Sequence, residues 1–259
     1  MSVGQGDAAL IHTPGGHWVL VDAGPRGPDT DAGARIVAPF LLRHRITRLS
    51  ALVLSHAHLD HYGGVESVLR RVAVDLVLEP AVPVPDPGYL ALLDDIAARQ
   101  IRWRPARTGD HFTLDGVSFL VLHPDTAWAG WGEDLNWDSV VLLVRYRGFG
   151  ALLAGDLGGP AEALLRDRIG EVELLKVGHH GSDGSSATGF LEALRPEAVV
   201  VSVGPNRYGH PAPGALRRLV AAGAEVWRTD RQRNITVTVT DSSLTLEGRE
   251  GRRSYRIRP

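Results

Sequence analysis

The chain of 259 residues contains no cysteine. This absence excludes disulfide bonds and thiolate metal ligands, and it leaves the redox compartment undetermined. Lysine is almost as scarce, because Lys176 is the only lysine among 28 basic residues. Long apolar runs are also missing, and the longest ones have the length of a strand rather than of a membrane span. Any metal would therefore be held by histidine, aspartate or asparagine.

A strong net charge is absent as well. The formal charge is −2 at pH 7 and the isoelectric point is near 6.6. The composition therefore carries no overall electrostatic signature of nucleic-acid binding, and any attraction for DNA must be local. With 44% hydrophobic residues and no evident linker or repeat, residues 1–259 are predicted to form a single domain with a sizeable core.

The most informative segment that is present runs from Ser55 to His61. Imidazole and carboxylate groups, the ligands that zinc and similar ions prefer, fill four of its seven positions directly after an apolar run. Four ligands so close together exceed what one tetrahedral site needs from one peptide, so we predict two adjacent metal ions. These candidate ligands are His56, His58, Asp60 and His61.

Two further apolar runs end in possible ligands. Asp156 closes the run 151–155, and His179 and His180 follow the run 174–178. Ligands at the ends of buried strands are held rigidly, as a catalytic site requires. An aspartate in such a place is more often a turn former, but three such strand ends in one chain favour a shared site.

Strand and helix patterns alternate along the chain and predict an α/β fold with helices covering the faces of sheets. A hairpin is predicted for 8–12 and 18–21. Helices are expected at 34–45, 65–72, 87–100, 160–169, 186–194 and 213–222. Further strands are expected at 49–54, 74–78, 111–114, 117–122, 139–146, 150–154, 174–177, 199–203, 225–229, 235–240 and 243–247.

Several motifs resemble one known family. LVDAG around Asp22, HAHLDH at 56–61, LLAGD ending at Asp156 and KVGHHGS at 176–182 resemble the metallo-β-lactamase superfamily of hydrolases. VGQGDA at 3–8, Asn136 three residues before Ser139, NRYGHP at 206–211 and RTD at 228–230 are similar to the hydrolase domain of ComEC, the DNA-uptake channel protein of competent bacteria. The resemblance implies a four-layer αββα sandwich with two mixed β-sheets inside and helices outside.

The resemblance also implies roles for the ligands. His56 and His58 would hold a first metal, whereas Asp60, His61 and His179 would hold a second, and Asp156 would bridge both. Many superfamily members have a histidine where this chain has Asn136, so the first site is expected to bind more loosely or to favour manganese over zinc. His123, at the end of another apolar run, is the alternative ligand, and His180 is an alternative to His179.

Other residues are expected to assist. Asp22 would orient ligands from behind. Lys176 lies three residues before His179, and we interpret it as a compact cation that contacts a substrate phosphate; its retention by chance is the alternative. His210 is interpreted as a group that stabilises charge or donates a proton. The predicted substrate-binding residues are Lys176, His180, Ser182, Asn206 and His210, and the predicted catalytic residues are Asp22, Asp60, Lys176 and His210.

The implied function is a nuclease or phosphodiesterase with two divalent ions, zinc or manganese, that degrades the strand of DNA not imported during transformation. The ions would activate a water as the nucleophile. One alternative is a stand-alone hydrolase of a small ester, lactone or phosphodiester. Another is a catalytically weak domain that guides single-stranded DNA into a membrane channel. A ComEC-like domain would act on the extracytoplasmic face of the membrane, with a parent or partner channel.

The two ends of the sequence carry further expectations. Ser2 stands where the family pattern has an aspartate after a strand, so we expect a fragment of a longer membrane protein or a truncated gene product, with an exposed sheet edge. Five arginines occupy the last eleven residues, Arg249 to Pro259. This segment, 248–259, is interpreted as a solvated tail, with contact to a phosphate backbone as the alternative.

Overall fold

The computed structural model describes residues 1–125 and 134–257, and two mixed β-sheets face each other at its centre. Strands are numbered here in chain order. The first sheet begins with an antiparallel hairpin, after which the remaining neighbours are parallel. Its spatial order is β1 (Ala9–His12), β2 (Trp18–Val21), β6 (Ala51–Val53), β8 (Leu76–Glu79) and β9 (Arg102–Pro105).

The second sheet has seven strands and changes from antiparallel to parallel pairing at β13. Its strands lie in chain order, which gives four antiparallel strands followed by parallel ones. They are β10 (His111–Leu114), β11 (Val117–His123), β12 (Val141–Tyr146), β13 (Phe149–Leu153), β14 (Leu174–Lys176), β15 (Ala198–Val201) and β16 (Glu225–Arg228).

Side-chain alternation along the strands builds the layers. In β2, Val19 and Val21 point into the core between the sheets, whereas Leu20 points to the helices outside. Likewise Leu153 of β13 faces the first sheet and Leu152 packs under helices. Because successive side chains of a strand point to opposite faces, these buried strands carry apolar residues on both. The predicted four-layer αββα sandwich is confirmed.

The helices divide between the two outer faces. A π-helical turn, Gly33–Val37, continues into α1 (Ala38–Arg43) and packs with α3 and α4 on the first sheet. Helices α5, α6 and α7 cover the second sheet. The helices are α2 (Leu59–Tyr62), α3 (Val65–Leu69), α4 (Pro87–Ala98), α5 (Gly159–Ile169), α6 (Thr188–Leu194), α7 (Pro213–Ala221) and α8 (Thr229–Gln232). None in the described ranges is long and apolar enough to cross a membrane.

The interpretation of 248–259 as a solvated tail is wrong for residues 248–256. Residues Gly251–Arg256 form β19, which pairs antiparallel with β18 (Ser243–Gly248), and β18 pairs with β17 (Thr236–Val239). Leu244 and Leu246 of β18 are buried against the core between the main sheets. This strand was missed because most of its side chains are exposed, three of its six residues are arginines, and apolar and polar residues do not alternate along it. Arg258 lies outside the described residues.

A second strand was also missed. The four side chains of β9, which include Trp103, are all exposed, so no buried face marks the sequence as a strand. At the opposite end of the first sheet from β9 lies β1, and the expected exposed edge stays a prediction. Two pairs of two-residue strands complete the backbone pairing in loops: β3 (Arg26–Gly27) with β4 (Thr30–Asp31), and β5 (Arg48–Leu49) with β7 (Ala73–Val74).

Candidate metal centre

Parallel strands of both sheets end at one common edge of the sandwich, and the predicted ligands follow those ends. Asp22 comes directly after β2, and the histidine-rich segment begins two residues after β6. Asp156 follows β13, and the pair His179 and His180 follows β14. A hydrogen bond from the amide of Val140 to the Ser55 carbonyl (2.7 Å) ties the two sheets together here.

Four side chains form the tightest cluster, which we call the second site: Asp60, His61, Asp156 and His180. Each offers one ligand atom, and these atoms all lie within 4.8 Å of one another. His61 Nε2 lies 3.3 Å from Asp156 Oδ1, and His180 Nε2 lies 3.2 Å from Asp60 Oδ2 and 3.4 Å from Asp156 Oδ2. The donor set suits zinc or manganese.

Polar atoms without partners are concentrated at this edge. Among the described residues, five buried side-chain atoms have no hydrogen-bond partner, and all belong to this centre or its border. A buried polar atom without a partner is costly, so such a concentration needs a cause. Bound cations provide one, because they would satisfy the nitrogen and oxygen lone pairs. The atoms are Asp7 Oδ1, His61 Nε2, Asn136 Oδ1, Asp156 Oδ1 and His210 Nδ1.

Asp22 supports the second site from behind. The buried carboxylate accepts hydrogen bonds from the Ser55 amide (2.8 Å) and hydroxyl (2.7 Å), and it lies 2.9 Å from His61 Nδ1. This contact leaves His61 Nε2 directed at Asp156. The backbone of Asp22 has a φ of 58°, a left-handed conformation that costs free energy outside glycine. The predicted supporting role of Asp22 stays a prediction, and its contacts favour it.

His180, rather than His179, reaches the cluster. Its Nδ1 lies 2.9 Å from the Ser202 carbonyl, which directs Nε2 to the carboxylates. Both histidines have left-handed backbones, with φ of 48° and 52°, so the alternation of side chains along a strand does not extend to them. The side chain of His179 is 34% exposed and its Nε2 lies 4.0 Å from Asp156 Oδ2. Neighbouring Gly178 is required, because a Cβ there would lie 2.6 Å from the Leu157 carbonyl.

The first site is predicted to consist of His56, His58 and Asn136, with Asp156 shared. His56 Nε2 lies 2.9 Å from His58 Nδ1, so the two ring nitrogens converge. Two nitrogens on one tetrahedral zinc would be about 3.3 Å apart. Ser139, whose hydroxyl lies 3.4 Å from His56 Nδ1, accepts a hydrogen bond from the Asp156 amide.

The alternative first-site ligand, His123, has a backbone partner. Its Nδ1 lies 3.0 Å from the carbonyl oxygen of Ser139, whereas the amide oxygen of Asn136 is buried and has no hydrogen-bond partner. Asn136 lies in a short 3₁₀ turn, Leu135–Asp138, that begins at the capping residue Asp134. These contacts favour Asn136 over His123 as the ligand.

Charges around the second site shift several pKa values in the metal-free chain. Burial alone would lower the pKa of His180, but Asp156 and Asp60 raise it to about 10. Burial would also lower the pKa of His61, but Asp156 and Asp22 raise it well above its ordinary value. Burial, together with neighbouring His61, lowers the pKa of His56. Without metal, the raised pKa values therefore favour protonated imidazoles at His61 and His180, beside the carboxylates of the second site.

Lys176 does not present its ammonium to the cleft. The side chain is largely buried, and its Nζ is bonded to Asp7 and to the Gly155 carbonyl (3.0 Å). Asp156 Oδ1 lies 4.0 Å away. Burial alone would lower the pKa of Lys176, but Asp7 and Asp156 raise it. The ammonium is therefore fixed beside the carboxylate shared by the two sites, and the predicted direct contact with a substrate phosphate has no support from its position.

Of the remaining predicted residues, His210 borders the centre and Asn206 holds its loop. The rings of His210 and His179 meet edge to face with centroids 5.4 Å apart. Asn206 donates to the carbonyls of Gly204 and His210 (both 2.8 Å) and accepts from the amide of His210 (3.1 Å). Its amide group is thus occupied within the loop. The hydroxyl of Ser182 accepts from the amide of Gly184 at 3.2 Å.

Sequence reasoning missed three residues that shape the centre. Asp7 pairs with Lys176, and Ser55 and Ser139 hold Asp22, His56 and the backbone of Asp156. Asp7 belongs to VGQGDA, a motif used only for the resemblance, so its position in that motif was the available signal. Ser139 likewise belongs to a motif used only for the resemblance, the one that it forms with Asn136. Ser55 carries no signal of its own, because its partners are brought together only by the fold.

Comparisons with known proteins agree with the geometry. A family model described as the Metallo-beta-lactamase superfamily matches residues 1–204. ComE operon protein 3 of Bacillus subtilis (strain 168) is 30% identical over 250 residues, covering 91% of this chain and 32% of that protein. Competence protein ComA of Neisseria gonorrhoeae is 33% identical over 232 residues, covering 88% and 30%.

The chain thus spans about a third of the length of these two relatives. Among solved structures, the metallo-beta-lactamase fold protein YhfI from Bacillus subtilis is similar with a TM-score of 0.58. The alignment has 11% sequence identity and covers 87% of this chain and 89% of that chain. At this identity the likeness concerns the fold alone.

Proposed function

Because this chain belongs to the metallo-beta-lactamase superfamily of metal-dependent hydrolases, with ComEC-like competence proteins among its relatives, we propose that it hydrolyses phosphodiester bonds of DNA. One observation carries the hydrolytic part: four ligand atoms lie within 4.8 Å of one another beside unpartnered His61 Nε2 and Asp156 Oδ1. The competence relatives support DNA as the substrate.

In this proposal the second site is formed by Asp60, His61, Asp156 and His180, with His180 replacing His179 as the ligand. The first site is formed by His56, His58 and Asn136 with the shared Asp156. When bound, two divalent ions, zinc or manganese, supply Lewis acidity and lower the pKa of a water towards neutrality. The chain then contributes rigid ligands, since Asp22 and the Ser202 carbonyl fix the rings of His61 and His180.

His210 is proposed to contact the substrate. Burial and neighbouring His179 lower the pKa of His210, so its imidazole is neutral at pH 7. The buried Nδ1 has no partner and can donate or accept a hydrogen bond at a substrate oxygen. Lys176, held by Asp7, supplies positive charge next to Asp156 and offsets negative charge at the centre without touching the substrate.

We also propose where the reaction takes place and which strand is cleaved. In line with the resemblance to the ComEC hydrolase domain, the chain would work with a DNA-uptake channel, as part of it or as its partner, at the extracytoplasmic face of the membrane. The expected substrate is the single strand that is not imported.

The test is cleavage of a fluorescently labelled single-stranded oligonucleotide with Mn²⁺ or Zn²⁺. The wild-type chain is expected to produce fragments, and Asp60→Ala is expected to abolish them. Asp167→Ala is the matched control, because the Asp167 side chain is 80% exposed on α5 and its ion pair is with the neighbouring Arg166 at 3.5 Å.

The other outcomes separate the alternatives. Turnover of small esters, lactones or phosphodiesters without cleavage of DNA would assign a stand-alone hydrolase. Retained affinity for metal and DNA without cleavage under any divalent ion would assign a guiding domain. Equal activity of Asp60→Ala and wild type would remove the proposed centre from the reaction.

A further inference from the structure

Tyr208 exposes its aromatic ring beside the metal centre. The residue is 66% exposed. Its ring centroid lies 5.8 Å from that of His210, and the ring of His210 in turn meets that of His179 at 5.4 Å. His180 of the second site is the next ring, 6.3 Å from His179. Tyr208 is therefore three ring contacts from a proposed ligand.

The loop that carries Tyr208 is fixed although the ring is exposed. The amide of Tyr208 donates to Asn206 Oδ1 (3.0 Å), and the same side chain binds the backbone of Gly204 and His210. A ring held in place but left uncovered loses little conformational freedom when a ligand packs on it.

Two more exposed apolar side chains adjoin proposed ligands in the sequence. Leu59, 49% exposed, stands between His58 and Asp60 at the start of α2. Trp137, 39% exposed, follows Asn136 in the 3₁₀ turn. Exposed large apolar side chains that gather at a site, rather than being scattered singly, indicate a binding surface.

We propose that Tyr208 and Trp137 form a stacking rim that binds unpaired bases of single-stranded DNA next to the scissile phosphate, with Leu59 as a further apolar contact. This proposal rests on the proposed function and adds its strand selectivity. Aromatic faces bind any base by stacking, so the rim is tolerant of sequence. In a duplex the bases are paired and stacked on each other, so they offer no free face to the rim.

The formal charge of −2 agrees with this mode of binding. A chain without an overall basic surface gains less from the phosphates than a basic nucleic-acid-binding protein does. Contacts to the bases then carry a larger share of the affinity. We therefore expect a strand that keeps every phosphate but lacks its bases to bind more weakly than an intact strand of the same length.

The experiment measures binding by fluorescence anisotropy with three labelled 12-residue probes: oligodeoxythymidylate, an abasic phosphodiester strand of the same length, and a DNA duplex. A chelator prevents cleavage, and KM for Mn²⁺-dependent cleavage of the first probe is the second readout. Tyr208→Ala and Trp137→Ala are each expected to weaken binding of oligodeoxythymidylate roughly 5- to 100-fold. Binding of the abasic strand and the duplex is expected to stay unchanged.

Two variants serve as controls. Tyr208→Phe keeps the ring and is expected to bind as the wild type does. Val220→Ala removes an exposed apolar side chain of α7 that is 64% exposed and is expected to change nothing. An equal loss on the abasic strand, or no loss on any probe, would overturn the stacking rim.

The outcomes also separate this inference from the proposed function. Cleavage of DNA with unchanged binding by Tyr208→Ala and Trp137→Ala would leave the nuclease in place and remove the rim. Base-dependent loss of binding in a chain that cleaves no DNA would keep the rim and remove the nuclease. Absence of binding to every probe by the wild type, with no cleavage, would overturn both.

Discussion

The two sites of the candidate centre differ in how firmly the chain holds their ligands. In the second site, each histidine has one ring nitrogen at the cluster and the other on a buried partner, Asp22 for His61 and the Ser202 carbonyl for His180. In the first site, His56 contacts serine hydroxyls at 3.0 and 3.4 Å, and Asn136 offers a neutral amide oxygen.

The metal affinities of two sites therefore cannot be ranked from the types of their ligands alone. Orientation by outer partners raises metal affinity as much as the choice of ligand does. We therefore expect the second site to fill first and the first site to respond most to changes in metal concentration.

The largest effect is expected from His180→Ala. Removal of its Nε2 from between Asp60 and Asp156 should reduce metal content from two ions to one per chain and lower activity by more than about 100-fold, which exceeds the usual effect of losing an outer partner. Metal analysis after gel filtration measures the content. His179→Ala is the matched control and should keep both ions. Loss of an ion in His179→Ala but not in His180→Ala would restore the assignment made from the sequence.

A smaller effect is expected from Asp22→Asn. The amide keeps the shape but removes the charge that holds the Nδ1 proton of His61, so affinity at the second site should fall about 10- to 100-fold. Affinity at the first site should change less. Competition titration with a chromophoric chelator measures both affinities, with Asp167→Asn as the control. An equal fall at both sites would show that Asp22 supports the whole centre.

Asn136→His addresses the first site directly. Imidazole is a better ligand for zinc than an amide oxygen, so zinc affinity at this site should rise about tenfold. The second site should be unaffected. The same titration measures the change, and unchanged first-site affinity would exclude Asn136 as a ligand.

The smallest effect concerns pH. The folded metal-free chain has raised pKa values at His61 and His180, the latter to about 10. A raised folded pKa contributes stability that is complete below the unfolded value of about 6.5 and is lost as pH rises towards 10. Denaturant unfolding in chelator should therefore show declining stability over this range.

Metal binding must displace the same protons. Calorimetry in buffers of different ionisation enthalpy should therefore detect proton release at pH 7 that diminishes towards pH 10. Because both protonated histidines belong to the second site, His180→Ala should release fewer protons than Asn136→His. Equal proton release by the two variants would place the titrating groups elsewhere.

Much of the fold could be predicted because its strands are buried on one or both faces. The hairpin of β1 and β2 and the strand and helix order follow from apolar periodicity, and the candidate ligands follow from their positions at strand ends. The strands β9 and β19 could not be predicted in this way, since their side chains are exposed and backbone pairing alone defines them.

Within the site, the limits of sequence reasoning were conformational and long-range. The placement of His180 depends on two consecutive left-handed residues, which no periodicity reveals. The partner of Lys176 lies 169 positions away at Asp7, so a lysine interpreted as facing the substrate is a buried counter-charge. Local sequence patterns identify which side chains lie at the common edge of the two sheets. Which of these side chains point into the metal centre depends on contacts between distant parts of the chain.

The buried position of Lys176 has a practical consequence. Since the chain has no other lysine, reagents that acylate lysine side chains find no second lysine on the folded surface. Labelling of Lys176 itself then requires the pair with Asp7 to open, so the rate of its acylation reports directly on how often the interior beside Asp156 is exposed to water.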